Sequence, residues 1–222
     1  LHSTEAEWIQ LTMISKKEYA ARRKDLMSMM ADNSIAVIAA APEKVRSKDT
    51  LYPYKQSTNF SYLSGFSEPC SVMLLIPNRQ QGECVLFCRD KDPLRETWDG
   101  LRLGPIEAKQ ALALDDAFPI DDIDDILPGL LEGKSHIYYS AGKDKAFDKQ
   151  LIQWVDEVTL DKESDSEPCC EQVDLDHLLA ELRLIKSAAE IKLMRKAADI
   201  SAEAHCRAMR FCQPGQYEYQ LQ

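Results

Sequence analysis

Ser34-Ile-Ala-Val-Ile-Ala-Ala40 is the stretch on which the reading of the fold turns. It is short, apolar throughout after its first residue, and rich in β-branched side chains. That pattern is expected of a strand buried on both faces, and Ala41-Pro42 closes it. Upstream, Ser15-Lys16-Lys17-Glu18 has the form of a capping box, and Tyr19, Leu26 and Met30 recur at helical spacing, so residues 15–31 are expected to form a helix. Downstream, Ser71 to Ile76 is a second apolar strand, closed by Pro77-Asn78, and Cys84-Val-Leu-Phe-Cys88 is another. Asn59 to Phe66 is aromatic and strand-like up to Gly65, so these three segments predict a meander. Residues 43–58 are polar, with an extended Tyr52-Pro53-Tyr54. Residues 106–113 and 121–131 read as helices, Ile137 to Tyr139 as a strand and Asp144 to Val158 as a helix. Alternating strands and helices place roughly the first 160 residues in the α/β class.

Asp161 to Gln172 is charged, contains Pro168 and has no apolar period, so it reads as a linker or exposed loop. Asp174 to Leu184 is apolar at helical spacing. Ser187-Ala-Ala-Glu190 is a second capping box, and it opens a long helix. Lys192, Arg195, Lys196, Asp199, Glu203, Arg207 and Arg210 fall on one side of that helix. Ile191, Met194, Ile200, Met209 and Phe211 fall on the other. Gln213-Pro214-Gly215 stops it. So wide an apolar face needs a partner, and most of a second domain is expected beyond Gln222. The division read from the sequence is 13–172 for the first domain and 173–222 for a linker helix and the beginning of the second.

Among the 222 residues, 45% are hydrophobic and 29% charged, an ordinary balance for a globular protein that can build its own core. The formal net charge of -10 disfavours nucleic acid and anionic membrane surfaces as partners. The seven cysteines lack the spacing of a secreted disulfide scaffold and read as reduced thiols in a cytoplasmic protein. No apolar run is long enough for a membrane span. Leu1 to Thr12 has no signal-peptide pattern and reads as an extension or cloning remnant before Met13.

HExxH, Walker, GxGxxG and GxSxG patterns are all absent, so no self-contained active site is visible. His205 falls within the apolar arc of the long helix and reads as a core or interface histidine rather than a metal ligand. Cys84 and Cys88, four apart on a strand, read as two buried thiols rather than zinc ligands. Cys169-Cys170 read as exposed cysteines of the linker. The acidic run from Asp115 to Asp125 lacks the glycine and final glutamate of a calcium loop and reads as a solvated face. Trp98, in the charged and glycine-containing segment Arg95 to Gly104, reads equally well as a contact residue or a core residue.

Several segments together are similar to a known family. Arg46-Ser-Lys-Asp49, Tyr52-Pro-Tyr54, Gln56-Ser-Thr-Asn-Phe60, Tyr62-Leu-Ser-Gly-Phe66, Glu68-Pro69 and Glu96-Thr-Trp-Asp-Gly-Leu-Arg-Leu-Gly104 resemble the N-terminal domain of the Xaa-Pro aminopeptidase (aminopeptidase P) family. Glu181 to Ile191, followed by Ala204-His205 and Pro214-Gly215, resembles the entry to that family's pita-bread catalytic domain. The resemblance implies a mixed central β-sheet flanked by helices, then the first helices of a truncated α+β domain. It implies a peptidase that releases the N-terminal residue from peptides with proline in second position. Two metal ions, usually manganese, would clamp a hydroxide and polarise the scissile carbonyl. Their ligands, two aspartates, a histidine and two glutamates, would lie beyond Gln222. No catalytic residue, metal ligand or bound manganese is therefore expected in this stretch, which alone should be inactive. The first domain would shape substrate access and support a homodimer or homotetramer. Trp98 and Asp49 are the residues expected to reach substrate in a neighbouring subunit. The related readings are a non-catalytic peptide-binding homologue and a prolidase-type dipeptidase or creatinase.

Overall fold

The computed structural model describes residues 14–160 and 171–221. Most of the expected 161–172 linker, with Cys169 and Cys170, lies outside the described residues, as do Leu1 to Thr12. Ser15–Arg183 forms one compact unit, and the chain from Leu184 onward belongs to another.

The first unit begins with helix α1 (Lys16–Met29), where the Ser15 side chain accepts from the Glu18 backbone N–H. Strand β1 (Ser34–Ala39) follows, then a small hairpin of β2 (Val45–Ser47) and β3 (Thr50–Leu51). After α2 (Thr58–Ser64) come β4 (Val72–Leu75) and β5 (Cys84–Cys88). Helices α3 (Pro93–Asp99) and α4 (Gly104–Leu112) lead into β6 (Asp116–Pro119). A 3-10 turn at Ile120–Asp122 opens α5 (Ile123–Leu131), and then come β7 (His136–Tyr139) and α6 (Lys145–Leu160). Strand β8 (Glu171–Asp174) and α7 (Leu175–Leu184) complete the series.

Six strands form one mixed sheet in the order β6-β5-β4-β1-β7-β8. β1 is antiparallel to β4 with Val37 opposite Leu74, and parallel to β7 with Ile35 opposite Ile137. β4 pairs antiparallel with β5, while β6 and β8 join parallel at the two edges. Side chains alternate across the sheet and build two cores. On one face Ala36, Ile38, Met73, Leu75, Leu86 and both Cys84 and Cys88 meet α1, α2, α4 and α7 through Leu26, Phe60, Leu63, Ala108 and Leu179. On the other, Ile35, Val37, Leu74, Val85, Phe87 and Tyr139 meet α5 and α6 through Leu127, Leu131, Leu151 and Trp154. Two-sided burial is why the interior strands read as unbroken apolar runs.

The expected mixed α/β sheet is therefore present, and two local expectations are corrected. Asn59 to Phe66 is not a strand: Thr58–Ser64 is helix α2, which buries Phe60, Leu63 and Ser64 on one side. Gly65, at φ +68°, ends that helix in the left-handed conformation. The meander accordingly has a different membership, because the strand beside β4 is β1 and not residues 59–66. Packing of one face against the sheet overrides the strand preference of Phe60, Tyr62 and Phe66.

In the second unit, α8 (Ala188–Phe211) starts with the expected reciprocal capping box. The Ser187 side chain accepts from the Glu190 N–H at 3.2 Å, and the Glu190 carboxylate accepts from the Ser187 N–H at 2.9 Å. Its apolar side, with Met194, Ile200, Met209 and Phe211, is exposed in this chain.

Candidate functional site

Asp49 lies in the turn between β2 and β3 and is exposed. Trp98 lies on α3 and is 87% exposed. Neither side chain makes a hydrogen bond or ion pair among the described residues, and the structure shows no contact joining the two. The equal readings of Trp98 resolve in favour of the surface.

α3 has only seven residues, and none of them is buried. A helix so short does not hold itself in water, and no apolar face is available to seat this one. Polar contacts place it instead. The Asp92 carboxylate caps its first turn, accepting from the N–H groups of Leu94 at 3.1 Å and Arg95 at 3.2 Å. Gly100 ends it at φ +88°. The Arg102 side chain, 9% exposed, donates to the Asp90 carbonyl at 3.3 Å and pairs with Asp99 at 3.5 Å. The Arg102 backbone N–H donates to Glu96 Oε1 at 3.4 Å.

Glu68 holds both ends of the segment that carries α3. Its Oε2 accepts from Arg89 at 3.3 Å, just past the end of β5, and its Oε1 accepts from the Leu103 N–H at 2.7 Å, just before α4. Gln56 joins Glu68 to the hairpin side. Its amide donates to the Glu68 carbonyl at 2.9 Å, and its Oε1 accepts from the N–H groups of Ala41 at 2.9 Å and Ser57 at 2.8 Å. The Tyr54 hydroxyl sits 2.9 Å from Gln56 Oε1 and 3.1 Å from the Ala41 carbonyl, and shares its one hydrogen between them. Burial first, then the negative charges of Cys70 thiolate and Glu43, push the Tyr54 hydroxyl up to about 12, so it remains a donor at neutral pH.

Beside this network, a cleft of about 360 Å³ opens at the C-terminal ends of β1 and β7, between Pro42, Tyr52, Tyr54, Ser140 and Lys143. Asp176 sits nearby and accepts from Asn59 at 2.8 Å, Ser140 at 2.8 Å and Lys143 at 2.6 Å. Burial raises the Asp176 carboxyl, but the bonds from Lys143 and Ser140, the Lys143 charge and the Asn59 bond outweigh it and leave it below its ordinary value. An ionised carboxylate that accepts from three donors ties α2, the β7 exit and α7 together.

Sequence reading named Trp98 and Asp49 but not the residues that mount them. Gln56, Glu68 and Arg102 stand inside the segments quoted for the resemblance, which was the available signal. His205 is exposed on α8, with Nδ1 2.7 Å from the Ser201 carbonyl. Cys84 and Cys88 are buried, as expected, and burial pushes both thiols up to about 12. Among the described residues, no group of three or more His, Cys, Asp or Glu could hold a metal ion, and no helix is long and apolar enough to cross a membrane.

Comparison with known proteins assigns the fold. The family described as aminopeptidase P, N-terminal domain, matches residues 19–138. The chain belongs to this family. It is 36% identical over 213 residues to the Xaa-Pro aminopeptidase of Escherichia coli K12, covering 96% of this chain and 48% of that protein. The solved Pseudomonas aeruginosa aminopeptidase PepP superposes with a TM-score of 0.91 at 52% identity, covering 95% of this chain and 48% of that one. Proline aminopeptidase P II from Yersinia pestis superposes with a TM-score of 0.87 at 40% identity, covering 94% of this chain and 48% of that one. The chain spans about half the length of the relatives it matches.

Proposed function

We propose that this chain is the N-terminal half of a cytoplasmic Xaa-Pro aminopeptidase that releases the first residue of peptides carrying proline second. In this reading it shapes substrate access and supports a homodimer or homotetramer. Trp98 and Asp49 reach substrate bound in a neighbouring subunit. In this reading two manganese ions are held by the other half of the enzyme, and this stretch alone is inactive. Support comes from the solved E. coli relatives, which include a form with the inhibitor Pro-Leu and a zinc-substituted form with product.

The observation that carries the reading is Trp98 itself. A large aromatic held in water on a polar mount gains nothing for its own unit, because it buries nothing there. Against another chain or a peptide it offers a wide apolar face at low entropic cost. A proline ring suits such a face, and the X–Pro nitrogen has no hydrogen to offer in its place. The free Asp49 carboxylate suits a peptide's terminal ammonium.

In the full-length protein, Trp98→Ala should lower kcat/KM for a Xaa-Pro-Xaa peptide by at least about tenfold, the scale of an aromatic anchor. Its melting temperature should stay unchanged. Asp49→Ala should lower kcat/KM by less. Unaltered kcat/KM in Trp98→Ala would sink the assignment.

A further inference from the structure

We infer that Glu68, with Gln56 behind it, is the positioning residue that sets where Trp98 stands. The functional part of this inference rests on the reading of Trp98 given above, and the structural part does not. The 90–102 segment leaves the sheet after β5 and returns at α4, and the helix inside it buries no residue. Although Leu103 just beyond the segment packs against the core, hydrophobic packing of α3 itself therefore cannot choose its place. One carboxylate, 15% exposed, does so by taking a guanidinium at one end of the segment and a backbone N–H at the other. Charge-assisted bonds of this kind are stronger than neutral ones. Inside the clamp, Arg102 ties Asp90 to Asp99 across the base of α3.

The Glu68 backbone is fixed in turn. Its carbonyl accepts from Gln56, whose own oxygen gathers Ala41 and Ser57 at the exits of β1 and of the hairpin segment. Pro69 and Ser71 then lead directly into β4, and the Ser71 hydroxyl donates to the Pro69 carbonyl at 3.0 Å. The mount of Trp98 thus runs from a central strand through Glu68 to both ends of its loop. The hairpin bearing Asp49 returns to the sheet through the same Gln56. One pair of side chains accordingly registers both exposed groups against the sheet.

The test uses the full-length protein and two readouts. Amide hydrogen exchange reports the clamp directly. Glu68→Ala should speed exchange at residues 94–103 by at least about tenfold, the effect of losing one bond to a charged acceptor, and leave β4 and β5 protected. Glu68→Gln keeps an acceptor for the Leu103 N–H and loses the charge facing Arg89. It should give a smaller loss of protection, and it serves if Glu68→Ala folds poorly. Kinetics report the consequence. Glu68→Ala should lower kcat/KM for a Xaa-Pro-Xaa peptide mainly through KM, and should cost nothing further in a Trp98→Ala background. Unchanged protection in both Glu68 variants would overturn the clamp whatever the activity. Lost protection with losses that multiply in the double variant would overturn action through Trp98. Lost protection beside a fully active Trp98→Ala enzyme would support the clamp and overturn the role of Trp98 instead.

Discussion

Arg23→Met removes a buried cation while keeping much of its stem. Arg23 is 3% exposed and has no carboxylate partner among the described residues. Its guanidinium donates instead to the carbonyls of Leu63 at 3.0 Å, Leu112 at 3.2 Å and Ala113 at 2.9 Å. These are C-terminal carbonyls of α2 and α4, which have no partner inside their own helices and carry the negative end of the dipole. One residue of α1 thus ties down the ends of two other helices. Methionine restores the packing but leaves the carbonyls without their donor. The Leu63 bond is buried, so its loss costs about 1–3 kcal/mol, and the two part-buried bonds add roughly 0.5–1 kcal/mol each where water enters. A total of about 2–5 kcal/mol is a large share of a domain's typical stability of roughly 5–15 kcal/mol. Urea unfolding of the 222-residue chain, followed by the fluorescence of the buried Trp154 and by circular dichroism, measures it. Arg207→Ala is the control, since the exposed Arg207–Glu203 pair should be worth less than about 1 kcal/mol. A midpoint for Arg23→Met no lower than that of the control, at unchanged slope, would refute the reasoning.

Two further outcomes follow from the ionisable groups. Cys84 and Cys88 should resist a thiol-specific reagent at about pH 8, because burial excludes the reagent and leaves little thiolate. Peptide mapping should find Cys206 and Cys212 labelled before Cys84 and Cys88, and early labelling of Cys84 in folded protein would contradict the two-sided core. The Asp176 carboxyl is lowered on folding from its ordinary 3.8, so its stabilisation is complete above that value and is lost as the pH falls through the folded value. Asp176→Asn should be less stable than the parent at neutral pH, and the gap should narrow on acidification below about pH 4. A gap that stays constant would remove Asp176 as the titrating tie.

The interior of the sheet was legible because it is buried twice over. Ser34 to Ala39, Val72 to Leu75 and Cys84 to Cys88 pack on both faces, and an uninterrupted apolar run is what that leaves in a sequence. The edges were not legible. Asp116-Ala-Phe-Pro119 and Glu171-Gln-Val-Asp174 are strands because β5 and β7 offer them backbone partners, a cause that residue type does not carry. α2 was misread because Phe60, Tyr62 and Phe66 favour strands locally, while burial of Phe60 and Leu63 needs the helical period. The buried side of α1 was hidden for another reason. Arg22 and Arg23 look like surface residues until remote carbonyls are in place to receive them. The same holds for the Trp98 mount. Glu68 finds its partners at residues 89 and 103, and Gln56 finds its own at 41 and 68, so no local pattern announces the clamp. Trp98 itself stood out from its charged surroundings, but only the structure showed that α3 buries nothing.

The most direct test of the account is hydrolysis of a Xaa-Pro-Xaa tripeptide with manganese added, by this chain and by the full-length gene product side by side, with a Xaa-Pro dipeptide as comparison. The account predicts release of the first residue from the tripeptide by the full-length protein and no turnover by residues 1–222 alone. A folded, manganese-supplied full-length protein that is silent, or that cleaves the dipeptide alone, would contradict it.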